Sequence, residues 1–76
     1  MGKRTFKRDK VLCKNFGKRV SDFRKSLGIT QEELSFRANI SPSYMSAIER
    51  GITDVTISTA KRLAKALMVG INDLFV

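Results

Sequence analysis

Between Pro42 and Arg50 three hydroxyls, on Ser43, Tyr44 and Ser46, precede a carboxylate, Glu49, and a guanidinium, Arg50. A hydroxyl both donates and accepts, so this set can read the hydrogen-bonding edge of a polar ligand. Turnover chemistry is poorly served. The 76 residues include no histidine and one cysteine, Cys13, which removes imidazole catalysis, an intrachain disulfide and the usual zinc sites. The sequence offers no nucleophile with an adjacent base, no paired carboxylates on a shared concave face and no glycine-rich phosphate cradle, so it does not read as an enzyme, and no cofactor or metal is expected. Cys13 reads as a small, partly buried apolar residue rather than a redox sensor.

The net charge of +8 and pI of 10.3 favour a polyanionic partner, nucleic acid or an acidic membrane surface. Ten of the fifteen basic residues lie in the first 25 positions, and from Ser26 onward five basic side chains face five acidic ones. The whole excess therefore sits at one end. Residues 1–11 read as a flexible basic arm and 12–76 as one small domain, the length being too short for two. A membrane-surface role is set aside because Phe6 is the arm's single apolar aromatic. No stretch approaches the ~20 apolar residues of a membrane span, and no secretory signal is visible, so a soluble cytoplasmic protein is expected.

The elements that position these groups are all helical. Phe16, Val20, Phe23 and Leu27 share one face of a first helix, from about Leu12, that stops at Gly28. Thr30 with Glu33 is a capping box opening a second helix over about Gln31–Ala38. Asn39 tolerates the left-handed backbone that a tight reversal needs, and Ser41 with Pro42 opens a third helix ending at Gly51. Thr56 caps a fourth, with Ile57, Ala60, Leu63, Ala64 and Leu67 as its apolar face, and Ile71–Phe75 reads as one further helical turn with Asp73 near its positive end. Lys61, Arg62 and Lys65 read as a solvated face. The small Ser35, the turn residue Asn39 and the apolar Ile40, Met45 and Ile48 meet the packing needs of two crossing helices.

With Leu27-Gly28-Ile29-Thr30-Gln31-Glu32-Glu33-Leu34, Ile40 through Gly51, and Lys65-Ala66-Leu67 leading to Ile71–Phe75, the chain resembles the Cro and phage-repressor type of helix-turn-helix regulators. The resemblance implies an all-α, five-helix, lambda-repressor-like fold and double-stranded DNA as partner. It implies a recognition helix over about 42–50, with base contacts from Pro42, Ser43, Tyr44, Ser46 and Ala47 at its entering end. No Arg, Asn or Gln stands there for a bidentate base contact, so Pro42 and Ala47 are expected to offer apolar contact. A second reading of Tyr44 has its ring packing along the helix. Phosphate contacts are expected from Gln31, at the start of the second helix, and from Arg50, Thr53 and Arg37. Asp54 opposes such a role for the rest of its loop. The resemblance further implies that Arg24 and Glu49 form a structural ion pair.

Ser43-Tyr44-Met45-Ser46 with Ile48-Glu49-Arg50 is similar to the recognition helix of restriction-modification controller proteins, and phage-type repressors and antitoxins share much of the pattern. The leading function is a sequence-specific transcriptional regulator binding a near-palindromic operator as a homodimer, through exposed parts of the fourth helix with Met68, Ile71, Leu74, Phe75 and Val76; the second reading of these residues, Leu74 and Phe75 above all, is monomer core. The alternative is an antitoxin-like or accessory interaction module with autoregulatory DNA binding, ranked lower because a toxin-binding segment would need chain beyond Val76. No small-molecule ligand is evident.

Overall fold

A computed structural model describes residues 8–75 of the chain. Most of the expected arm, and Val76, lie outside the described residues. Four α-helices follow one another, α1 (Lys10–Ser26), α2 (Gln31–Ala38), α3 (Pro42–Arg50) and α4 (Ile57–Leu67), and a 3-10 turn spans Ile71–Phe75. The expected fifth helix is thus a single 3-10 turn. Its start is closed over three residues: Asp73 donates its N–H to the Gly70 carbonyl at 3.0 Å and accepts the Gly70 N–H on its carboxylate at 2.9 Å.

Caps set most of the helix starts. The hydroxyls of Thr30, Ser41 and Thr56 accept the backbone N–H three residues on, each at 3.0–3.1 Å. Only half of the expected capping box forms, because Glu33 turns to Arg37, 3.4 Å away and one turn further on. α1 begins two residues before the boundary expected at Leu12, since Asp9 caps it by accepting the Leu12 N–H at 2.9 Å. Lys10 and Val11 therefore belong to the helix and not to the arm. Asn39 ends α2 in the left-handed region at φ 58°, the reversal its side chain allows, and Met68 ends α4 at φ 61°, where an unbranched apolar side chain has no such excuse.

The core joins all five elements: Phe16 and Val20 of α1, Leu34 and Ala38 of α2, Met45 and Ile48 of α3, Ala60, Leu63, Ala64 and Leu67 of α4, and Leu74 of the 3-10 turn. Phe23 and Ile40 are partly buried against it, and two expected core positions are exposed. Leu27 is the residue after α1 and is exposed, and Ile57, the first residue of α4, is 84% exposed because the helix has not yet reached the core at that point. Leu74, for which both a dimer surface and the monomer core are open in the sequence, is fully buried in the monomer.

Candidate nucleic-acid interface

α2 and α3 are held at their crossing by a small residue and a tight turn. Ser35 is buried where the helices meet, its hydroxyl donating to the Glu32 carbonyl at 2.7 Å, so a polar side chain is buried without an orphaned atom. The Ile40 N–H then returns to the Ser35 carbonyl at 2.9 Å, and Met45 and Ile48 turn inward. What remains outward at the N-terminal end of α3 is Pro42 and Ser43, exposed, with Ser46 and Ala47 half-buried one turn on.

Glu49 is the hub behind this surface. Arg24 of α1 donates from Nε to Glu49 Oε2 at 2.7 Å and from Nη2 to Oε1 at 3.1 Å, a bidentate pair whose side chains are 13% and 5% exposed. Arg24 Nη1 also donates to the Ile29 carbonyl at 2.8 Å, and Gln31 Nε2 donates to Glu49 Oε1 at 3.0 Å. One network therefore fixes the end of α3, the turn before α2 and the first residue of α2. Gln31 spends one amide hydrogen on it and keeps the other.

The remaining candidates divide by what already holds them. Tyr44 packs against the core and donates its hydroxyl to the Asp54 carbonyl at 3.2 Å, which fastens the loop after α3 to the helix. Thr53 donates to the same carbonyl at 3.3 Å. Arg37 shares its charge with Glu33. Arg50 is exposed, donates weakly to the Ser46 carbonyl at 3.4 Å and has no carboxylate partner among the described residues. Lys61, Arg62 and Lys65 are exposed on α4. Cys13 donates to Asp54 Oδ1 at 3.4 Å; burial first and this hydrogen bond second push the thiol above its ordinary range.

Two structural residues escaped the sequence reading. Gly17 lies where α1 crosses the end of α3: a Cβ there would collide with the Ile48 carbonyl oxygen and lie 2.9 Å from that of Glu49. A glycine inside a 17-residue helix, at a propensity cost of about 1 kcal/mol, was the available signal. Arg19 donates from Nε to the Asp73 carbonyl at 3.0 Å and lies over the Phe23 ring, 5.3 Å from its centroid, joining α1 to the 3-10 turn. Nothing local in the sequence marks that contact.

Among the described residues no helix is long and apolar enough to cross a membrane, and no cluster of His, Cys, Asp and Glu could hold a metal ion. The chain matches the helix-turn-helix family HTH_3 over residues 20–74. It is 37% identical over 60 residues to the control protein C.BamHI of Bacillus amyloliquefaciens, covering 78% of this chain and 74% of the relative. An uncharacterized helix-turn-helix transcriptional regulator of Sinorhizobium fredii is 40% identical over 53 residues, 70% of this chain and 69% of the relative. Among solved structures, the restriction-modification controller protein C.AhdI of Aeromonas hydrophila superposes with a TM-score of 0.81 at 33% identity, over 83% of this chain and 96% of that one. The fold, the motif between Thr30 and Gly51 and these relatives together place the chain in the helix-turn-helix family of DNA-binding transcriptional regulators.

Proposed function

We propose that the protein binds a near-palindromic operator as a homodimer, with α3 of each protomer in the major groove and the two helices about one DNA turn, ~34 Å, apart. The observation that carries this reading is the split of α3, with Met45 and Ile48 buried and Pro42, Ser43, Ser46 and Ala47 left outward at its N-terminal end. Ser43 and Ser46 contact base edges by hydrogen bonds, and Pro42 and Ala47 offer apolar contact to thymine methyls. Tyr44 contributes chiefly by holding the 52–55 loop in place. Gln31 directs its free amide hydrogen to a phosphate at the start of α2, and Arg50, Arg37 and Thr53 contact the backbone, Arg50 most strongly because no carboxylate competes for it.

Homodimerisation is supported by apolar side chains left outside the core at one end of the molecule. Ile57 is 84% exposed and Phe75 47%, and beside them a hollow of about 130 Å³ is lined largely by Leu12, Phe16, Val55, Ile57, Ile71 and Phe75. Apolar surface of this kind at the edge of a small domain is what a second protomer covers. The similarity to C.BamHI and C.AhdI favours a restriction-modification controller within the family. Selection of bound duplexes from a random pool at fixed salt tests the proposal. A two-fold symmetric sequence is expected; enrichment of nothing, or of one asymmetric half-site, refutes it.

A further inference from the structure

The 52–54 loop that follows the recognition helix reads Ile52-Thr53-Asp54 and carries no cation. The fold compensates from another element. Because Asp9 caps α1 at Lys10, a lysine otherwise assigned to the arm, Lys10, stands one helical turn before Lys14 on one side of α1, both exposed. Gly51, the residue that closes α3 at φ 70°, meets that side of α1 directly: a Cβ on Gly51 would lie 2.6 Å from Lys14 Cα and 2.8 Å from its Cγ. Only the absence of a side chain lets the two backbones approach so closely. The stem of Lys14 is thereby rooted against the end of α3, beside Arg50.

The other cations of α1 near this height are engaged. Lys18 lies 3.3 Å from Asp22, Arg19 holds the Asp73 carbonyl and Arg24 holds Glu49. Lys14 has no carboxylate partner within ion-pair distance among the described residues. Asp54 lies against the neighbouring Cys13, so a lysine at this point also offsets the one negative charge of the loop. With the N-terminal end of α3 in the major groove, the chain leaving its other end passes the sugar–phosphate wall of that groove, where a cation fixes register without reading sequence.

We infer that Lys14, seconded by Lys10, is a DNA phosphate-binding residue that supplies from α1 the charge missing from the 52–54 loop. The inference rests on the DNA-binding reading above. Its test is the salt dependence of binding to the duplex recovered by selection, followed by fluorescence anisotropy. Lys14→Gln lowers affinity by the same factor on the matched and on a scrambled duplex, and flattens the slope of log affinity against log salt by about 0.9, one phosphate's worth. Lys10→Gln gives a change in the same direction, Lys14→Arg retains the wild-type slope, and Lys65→Gln, in the last turn of α4, leaves it unchanged. Circular dichroism of each variant confirms that it is folded. A wild-type slope in folded Lys14→Gln overturns the inference while leaving the proposed function standing. Failure of the wild-type protein to bind any duplex overturns both.

Discussion

Side chains that accept from several elements at once carry the largest consequences for stability. The Glu49 carboxylate receives three hydrogen bonds, two from Arg24 and one from Gln31, and is almost wholly buried. Arg24→Ala removes two of them and leaves a buried charge without its counter-ion, a loss of about 3 kcal/mol by chemical denaturation, with DNA affinity falling in parallel because α3 loses its brace. An unchanged melting curve in Arg24→Ala contradicts the structural role. Gly17 has a sharper requirement. Since a Cβ there meets backbone atoms of α3 that cannot rotate away, Gly17→Ala costs about 3 kcal/mol or prevents folding, despite the better helix propensity of alanine. A variant as stable as the parent in urea would show that α1 and α3 separate without penalty. The Arg24–Glu49 pair is implied by the family resemblance, whereas close packing such as that of Gly17 was the illegible part of the sequence. Arg19 reaches Asp73 across 54 positions, and neither residue type nor local spacing announces it.

Helix ends were the legible part, because caps are local chemistry. Thr30, Ser41 with Pro42, Asn39, Gly51 and Thr56 each carry their reason within a few residues, and each occupies the terminus its type favours. The start of α1 was misplaced because apolar periodicity begins at Leu12, whereas the cap that fixes the helix is the polar Asp9. The fifth element was legible in position and not in type, as periodicity over five residues does not distinguish an α-helical from a 3-10 turn. Ile57 shows a further limit: a face assigned by spacing continues to the end of a helix even where the core does not. Met68 offers a test at this scale. It adopts φ 61° with 77% exposure, so its side chain contributes little packing in exchange for the strained backbone. Met68→Gly is expected to raise stability by about 0.5–1 kcal/mol, seen as an upward shift of the denaturation midpoint; a lower midpoint would show that the methionine packs usefully.

Across the whole molecule the positive charge is less a single patch than the sequence suggests. Arg24 serves a buried pair, Arg19 fastens the 3-10 turn and Lys18 faces Asp22, which leaves Lys10, Lys14 and Lys25 as exposed cations of α1 free of a carboxylate partner among the described residues. In the proposed function base reading falls to a hydroxyl-bearing helix end, backbone affinity to cations on its flanks, and a second protomer covers the apolar side chains of Ile57 and Phe75, which are exposed in the monomer. The most direct measurement is to repeat duplex selection with Ser43→Asn, which places a bidentate adenine-reading amide at the entering end of α3. The expected result is a changed base preference at one position in each half-site, the two related by the two-fold axis, with the rest of the sequence retained. An enriched sequence identical to that of the wild-type protein, or one altered in a single half, would contradict recognition by paired α3 helices.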